Sequence, residues 1–524
     1  MSTTRALTAA DLGVPDAFNA AAYFVDRHAA EGRGTKVAIE CGDEGVSYAE
    51  LIERVNRCGS ALRGTLSVRP EERIVLLLLD TPAFAEAFFG AIKIGAVPIP
   101  TNTLWKAADY RHVLRDSGAG LAIVSEELLP QIDAIPRDEV PALRHVVVVG
   151  RSPAGGGYSS FAQLLEQGSP ELDPYPTHRD SPAFWLYSSG STGGPKGCVH
   201  LHHDMVVCAE LFAKGVLGIT AADRCFSVAK LFFAYGLGNA LYFPLAVGAT
   251  SILMPGPPAP ARVFETIERH RPTLFFSVPT GYGMLLAHAG EFDLSSVRLA
   301  ISAGEALPPS LYERFKQRFG IDILDGIGST EVLQMFISNR PGAIRPGSSG
   351  LVVPGYDAAI LDDEQQPVPE GEIGNLWISG DSTCAAYWNQ PEKTRDTIHG
   401  SWIRTGDRYT RDADGYYWYC GRSDDMLKVG GLWVSPVEVE NALIAHDAVQ
   451  ECGVVGRDDR DGLTKPAAFV VLRAGVEETP ALAIELQQFV RATLAEYKRP
   501  RWVEFVSELP RTATGKLQRF KLRE

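Results

Sequence analysis

Tyr187-Ser188-Ser189-Gly190-Ser191-Thr192-Gly193-Gly194-Pro195-Lys196-Gly197 is the stretch from which the fold of this 524-residue chain can be read. Four of its last eight residues are glycine, so backbone N–H groups can converge without Cβ obstruction. The hydroxyls add donors and Lys196 adds a point charge, which completes the parts of a polyphosphate cradle. Ala183 to Leu186, just upstream, reads as a buried strand, so the loop leaves the end of a sheet, where α/β folds bind their ligands. It is not a Walker A loop. That pattern needs Gly before the Lys and Ser or Thr after it, and Pro195 and Gly197 stand there instead. A bland Gly/Ser surface loop is the competing reading, and the ordered spacing of hydroxyls, glycines and lysine argues against it.

Outward from the loop, short β-rich runs alternate with helical patterns. The runs are Arg73 to Leu79, Leu121 to Ser125, His145 to Gly150, Ala183 to Tyr187, Cys225 to Ala229, Thr250 to Met254, Thr273 to Val278 and Arg298 to Ser302. Ala49 to Leu66 and Pro309 to Phe319 carry apolar residues at helical spacing. Such alternation implies crossover connections and largely parallel sheets, hence an α/β fold. From about Gly374 the pattern changes: Asn375 to Ser379, Trp402 to Arg404 and Tyr416 to Cys420 are short strands separated by turns such as Asp414-Gly415. After Asp424 comes a compact α+β unit, with helices Pro436 to Ala445 and Ala483 to Tyr497 and strands Val449 to Val455, Ala467 to Leu472 and Val503 to Phe505. The expected architecture is a large N-terminal domain of stacked α/β sheets with a β-rich subdomain, residues 1–423, and a small mobile α+β domain, residues 424–524. Length agrees, because a single core stops growing at roughly 250 to 300 residues.

The 64 acidic against 50 basic residues give a net charge of −14. That balance excludes a protein whose main partner is a nucleic-acid backbone, since phosphate neutralisation needs clustered Lys and Arg. The eight cysteines are scattered without a C-x-x-C pair and read as buried thiols of a reducing compartment. Met1 to Ala21 has no continuous apolar block, and the most apolar stretch, Phe84 to Pro100, is interrupted by Glu86 and Lys93. A cytoplasmic protein with no membrane span is expected.

The phosphate loop closely resembles that of the acyl-adenylate-forming superfamily, the AMP-binding ligases. Further strings resemble family motifs in the family's order: Asp325-Gly326-Ile327-Gly328-Ser329-Thr330-Glu331, Thr405-Gly406-Asp407, Gly421-Arg422-Ser423-Asp424-Asp425 running on to Lys428, and Pro510-Arg511-Thr512-Ala513-Thr514-Gly515-Lys516. Asp325 and Ile327 depart from the commonest form of theirs. The resemblance runs from about residue 40 to the C-terminus.

It implies ATP, Mg2+ and coenzyme A as reactants and partners. Joining a carboxylate to the α-phosphate of ATP sets anion against anion, and cations with oriented dipoles must offset that repulsion. By resemblance, Ser188, Ser189, Gly190, Ser191, Thr192, Gly193 and Lys196 hold the β- and γ-phosphates. Thr330 contacts the α-phosphate, and Glu331 is both catalytic and the magnesium ligand, a hard oxygen donor for a hard ion. Ser302 to Ala306, including Gly304, Glu305 and Ala306, with Asp325 and Gly326, lies along adenine. Asp407 and Arg422 bind the ribose. Lys516 bridges the acid oxygen and the α-phosphate. It must withdraw before a thiol can reach the acyl carbon, which calls for rotation about Asp424. Lys428, Gly430, Gly431 and Trp433 would then line the tunnel for coenzyme A. Acylation of Lys516 by lysine-modifying enzymes, reversed by deacylases, is an expected off-switch, and a homodimer is left open.

Lys230 to Asn239 lies where the family places its acyl pocket. Its mix of aromatic and small residues favours a flat ring over a long chain. Together with Phe184-Trp185-Leu186-Tyr187 it resembles the benzoate-CoA ligase subgroup, which implies a small aromatic carboxylic acid. Ala234, Tyr235, Gly328, Leu333, Gln334 and Ile337 are the expected pocket residues, with Tyr235 against the ring. Gln334 is a departure, since the subgroup more often carries His there, and an amide could partner a hydroxy- or amino-benzoate. Three other readings compete: delivery of the acyl group to a carrier protein, a non-catalytic AMP sensor, and a metal site at His200-Leu201-His202-His203-Asp204, which imitates an H-x-H-x-D core. Met205 stands where that last pattern needs a further His.

Overall fold

The computed structural model describes residues 5–151, 157–188, 195–423, 425–429, 432–460, 463–511 and 517–523. A nine-stranded sheet is the centre of the molecule. Its parallel strands run in the spatial order Val37–Cys41, Thr250–Leu253, Arg224–Ser227, Leu274–Ser277, Leu299–Ser302 and Ile323–Gly328. Antiparallel strands close its edges, Glu44–Ser47 on one side and Met335–Ser338 with Leu351–Val352 on the other. A second, all-parallel sheet is built from Val97–Pro100, Arg73–Leu77, Leu121–Ser125, His145–Val149 and Ser159–Ser160. The α/β fold read from the alternation is therefore present, with helices Tyr48–Gly64 and Pro309–Phe319 where the apolar spacing put them. The first opens on a capping box between Ser47 and Glu50, and the second ends at Gly320 with φ 71°.

Helix Pro82–Lys93, the start of the most apolar stretch, is buried along almost its whole length. Its two charges are paired inside: Glu86 with Arg54 at 3.2 Å, and Lys93 with Asp26 at 2.7 Å and with the Asn56 side chain. No helix among the described residues is long and apolar enough to cross a membrane.

The strand before the phosphate loop corrects the sequence reading. Pro182–Ser188 is not part of a parallel sheet. It pairs antiparallel with Lys196–Leu201, which in turn pairs with Ala386–Tyr387 in a small three-stranded sheet. The reason is length: residues 189–195 alone separate the two strands, and a parallel crossover needs roughly a dozen residues or more. The antiparallel region after Gly374 is as expected in kind. Trp402–Arg411 extends well past Arg404, however, and pairs with both Gly374–Ser379 and Tyr417–Arg422.

From Leu427 onward the chain has hydrophobic clusters of its own, centred on Val434, Val439, Leu443, Val454, Val470, Leu486 and Val490. Strands Val449–Asp458, Thr464–Leu472 and Trp502–Phe505 form one sheet covered by helices Pro436–Ile444 and Pro480–Thr493. The second helix begins three residues before Ala483, because the Thr479 hydroxyl caps it by accepting from Leu482 N, and it ends at Thr493, short of Tyr497.

Candidate active site

Ser188 ends one strand of the small antiparallel sheet and Lys196 begins the next, so the two face each other across the strand pair. Both reach toward Glu331. The Ser188 hydroxyl donates to Glu331 Oε1 at 3.4 Å, and Lys196 Nζ stands 4.0 Å from the same oxygen. Tyr387 Oη donates to it at 2.8 Å, and its ring lies 4.5 Å from Lys196 Nζ. The Glu331 carbonyl accepts from Cys384 N at 2.7 Å, and the Thr330 carbonyl faces His200 Nε2 at 2.8 Å. Lys393, on helix Pro391–Thr397, adds a second cation nearby; partial burial and then the charge of Lys196 push its ammonium below the usual lysine range. A carboxylate with Lys196 beside it, where the two strands bordering the glycine-rich stretch meet, suits phosphate and a divalent cation.

Gly304 adopts φ 91° after strand Leu299–Ser302, which turns the chain so that Glu305 accepts from Thr280 Oγ1 at 3.0 Å. Asp325 lies opposite Ser302 on the adjacent strand and is 5% exposed. Burial pushes its carboxyl up to about 8. Its Oδ2 accepts from Leu307 N at 3.3 Å, while Oδ1 and the Ser302 hydroxyl are buried without a partner among the described residues. Such orphaned polar atoms beside Gly304 and Gly326 suit the polar edge of a purine. Asp407 and Arg422 are register partners, with Arg422 Nη1 donating to Asp407 Oδ1 at 3.1 Å. Gly406, at φ 77°, leaves room for that guanidinium, since a Cβ there would come within 2.9 Å of Nη2.

At the acyl end, helix Ala234–Leu237 carries Ala234 and Tyr235, and strand Met335–Ser338 carries Ile337, three of the residues expected around the ring. Tyr235 donates to the carbonyls of Ile301 at 3.1 Å and Ser277 at 3.3 Å. Leu333 and Ile337 are fully buried, Ala234 nearly so, and Gly328 sits so close to the backbone at Gln334 that a Cβ would come within 2.7 Å of it. Leu333 holds φ 69°, a strained left-handed conformation that turns the Gln334 side chain inward. The Gln334 amide donates to Tyr235 O at 3.2 Å and Asn239 Oδ1 at 3.3 Å, and its oxygen accepts from Met335 N. The amide that could have served a ring substituent is thus spent on the protein. Two surface clefts of about 210 and 220 Å³ lie elsewhere, around Arg262 and around Tyr175, and contain none of the motif residues.

Three comparisons with known proteins bear on this arrangement. The model of the AMP-binding enzyme family matches residues 26–388, and that of the AMP-binding enzyme C-terminal domain matches residues 438–516. The chain belongs to the AMP-binding enzyme family. Among relatives, this AMP-binding enzyme is 52% identical to a benzoate–CoA ligase of Thauera aromatica over 97% of this chain and 96% of that one. It is 45% identical to a 4-hydroxybenzoate–CoA/benzoate–CoA ligase of Rhodopseudomonas palustris over 97% and 94%. Among solved structures, an anthranilate CoA ligase in complex with anthranoyl-AMP superposes with a TM-score of 0.94 at 46% identity, covering 98% of both chains. A benzoate CoA ligase from Burkholderia xenovorans superposes at 0.89 and 46%, covering 97% of this chain and all of that one.

Several expected residues of the AMP-binding enzyme lie outside the described residues: Ser189, Gly190, Ser191, Thr192, Gly193, Asp424, Gly430, Gly431 and Lys516. Their described neighbours are informative. Arg511, before the lysine, pairs with Glu451 at 2.5 Å and stands 3.9 Å from Glu305, which brings the border of that motif to the adenine segment. Arg519, after it, grips Glu440 at 2.7 Å and reaches Asp425 at 3.6 Å. Lys428 and Trp433 are register partners in an antiparallel strand pair, and the Trp433 ring has the Lys428 ammonium at 5.5 Å and the Arg408 guanidinium at 4.7 Å. The H-x-H-x-D imitation dissolves into internal bonds: His200 with Asp204 and Thr330, His202 with Ala20 N, His203 with the carbonyls of Arg179 and Asp381. Among the described residues no group of three or more His, Cys, Asp or Glu is placed to hold a metal. The sequence reading does not reach Tyr387 and Lys393, which arrive from a distant segment and belong to none of the motif strings, and it reads His200 only as part of a metal core, although it lies on the strand that begins at Lys196.

Proposed function

We propose that this AMP-binding enzyme is an aryl-CoA ligase that uses ATP to activate benzoate or a simple ring-substituted benzoate, and passes the acyl group to coenzyme A. The observation that carries the reading is the convergence of Ser188, Lys196 and Tyr387 on Glu331. The choice of acid and of free coenzyme A draws on the end-to-end likeness to benzoate–CoA ligases.

In the first half-reaction a carboxylate oxygen attacks the α-phosphorus of ATP and the bond to pyrophosphate breaks. Lys196 and Lys393 offset the charge of the β- and γ-phosphates, and the Thr330 hydroxyl orients the α-phosphate. Glu331 would hold a divalent cation, which supplies Lewis-acid neutralisation of the phosphate oxygens when bound. Asp325, with Ser302, takes the polar edge of adenine, and Asp407 with Arg422 takes the ribose. Tyr235, Ala234 and Ile337 confine the ring, while Lys516 bridges the acid and the α-phosphate. In the second half-reaction the C-terminal unit turns about Asp424, Lys428 to Trp433 line the tunnel, the thiol sulfur attacks the acyl carbon, and AMP leaves. Acylation of Lys516 would stop the first step alone.

The test is AMP formation from ATP with benzoate, its hydroxy and amino derivatives, and cyclohexane carboxylate, each with and without coenzyme A. Turnover with benzoate that requires coenzyme A is expected; turnover independent of coenzyme A, or none with any aryl acid, would overturn the reading. Lys516→Ala should abolish benzoate-dependent pyrophosphate exchange and still convert supplied benzoyl-AMP with coenzyme A. Unchanged exchange in that variant would remove the lysine from the mechanism.

A further inference from the structure

His200 has no part in the reaction as described so far, yet it touches the peptide that joins Thr330 to Glu331. It is fully buried on strand Lys196–Leu201. Its Nε2 lies 2.8 Å from the Thr330 carbonyl oxygen and its Nδ1 lies 2.7 Å from Asp204 Oδ2. That carboxylate oxygen also accepts from Leu201 N at 3.1 Å. Both ring nitrogens therefore face oxygen atoms, and because a carbonyl oxygen can only accept, Nε2 is the donor to Thr330. Phe184 stacks on the ring with centroids 5.2 Å apart and planes 18° apart, which fixes the direction of both bonds. One residue on, the Glu331 carbonyl is held by Cys384 N. The two consecutive carbonyls are thus tied to two separate segments, one through a side chain and one through the backbone.

We infer that His200 is a positioning residue for adenylation: through the Thr330 carbonyl it orients the Thr330–Glu331 peptide so that the hydroxyl and the carboxylate face the phosphates and the cation together. The inference rests on the proposed aryl-acid ligase activity. Physically, rotation of that peptide plane would swing both side chains at once, because they leave it on either side. Nothing else among the described hydrogen bonds holds the Thr330 oxygen except the turn contact from Leu333 N at 3.2 Å. Partners that orient a metal-binding side chain from behind are typically worth about 10- to 100-fold in activity or metal affinity.

Two amide substitutions separate the two bonds. Asn at 200 sets its nitrogen near the Nδ1 position and keeps the bond to Asp204; Gln sets its nitrogen near Nε2 and keeps the bond to Thr330. His200→Asn should lower kcat for benzoate-dependent ATP–pyrophosphate exchange about 10- to 100-fold, raise the Mg2+ concentration needed for half-maximal rate, and leave the KM for benzoate unchanged. His200→Gln should restore most of that kcat. Equal losses in the two variants, or a loss confined to the benzoate KM, would overturn the inference. Thermal unfolding of both variants checks that the kcat difference is not a difference in folding. Phe184→Leu, which loosens the ring and leaves both bonds in place, provides a second route: a several-fold drop in kcat at constant benzoate KM supports the role, and wild-type kcat contradicts it. Absence of exchange in the wild-type enzyme would instead overturn the aryl-acid reading, whereas wild-type exchange with undiminished His200→Asn activity counts against His200 alone.

Discussion

At the phosphate end of the site side chains meet one another, with Lys196, Ser188 and Tyr387 gathered on one carboxylate that keeps some access to solvent. At the acyl end side chains meet the backbone instead. Tyr235 is bonded to the Ile301 and Ser277 carbonyls, Gln334 to the Tyr235 carbonyl and the Met335 N–H, and Leu333 and Ile337 are sealed in the core. The first arrangement keeps charge available for a ligand, because Lys196 stands 4.0 Å from Glu331, beyond a close ion pair, and can turn to phosphate. The second commits its polar groups to the fold and leaves shape as the means of recognition. Substitutions at the two ends should therefore fail differently, in rate at one and in stability and selectivity at the other.

The largest effect is expected at the phosphate end. Glu331→Gln keeps the volume and removes the anion, and should lower the rate of pyrophosphate exchange by about 10²- to 10³-fold, the usual range for loss of one electrostatic stabiliser. Melting temperature should barely change, and a parallel fall in stability would show that the convergence on Glu331 is structural. At the acyl end Gly238→Ala is the sharper probe. A Cβ at this position would come within 2.4 Å of Gln334 Nε2 and 2.9 Å of Tyr242 Oη. Overpacking of this kind costs about 1 to 3 kcal/mol, measurable by denaturant unfolding, and should narrow the acid range as Gln334 is pushed inward.

A pH dependence of stability is expected from the adenine side. Asp325 is raised to about 8 by burial, above its ordinary value near 3.8. A carboxyl raised by folding contributes stability that is fully present below its unfolded value and is lost as pH rises through the folded one. The ligand-free enzyme should therefore lose stability between about pH 4 and pH 8, and Asp325→Asn should flatten that slope. An unchanged slope would mean that Asp325 is charged in the fold.

The contrast between the two ends also explains what could be read from sequence. Ser188, Lys196, Thr330, Glu331, Asp407 and Arg422 lie in short strings whose chemistry shows in one dimension, and five of them meet in two close groups: Ser188 and Lys196 with Glu331, and Asp407 with Arg422. Tyr387 and His200 reach Glu331 and Thr330 from strands that pair with each other only in the folded sheet; a lone Tyr carries no local signal, and the histidine cluster around His200 signals a metal core instead. The amide of Gln334 was visible as a departure, but its partners were not, because they depend on the left-handed turn at Leu333. The direction of Pro182–Ser188 could have been inferred, since the seven-residue gap 189–195 is too short for a parallel return.

The position of Trp433 gives the molecule an optical handle. Its indole has the cations of Arg408 and Lys428 within reach of its ring, and both are close enough to perturb an excited indole. Arg408 belongs to the strand that carries Asp407, whereas Lys428 travels with Trp433 in its own strand pair. Any turn of the pair away from that strand removes one neighbour and keeps the other. The emission difference between wild type and Trp433→Phe, followed in stopped flow as benzoyl-AMP and then coenzyme A are added, should therefore time the passage between half-reactions without an attached dye.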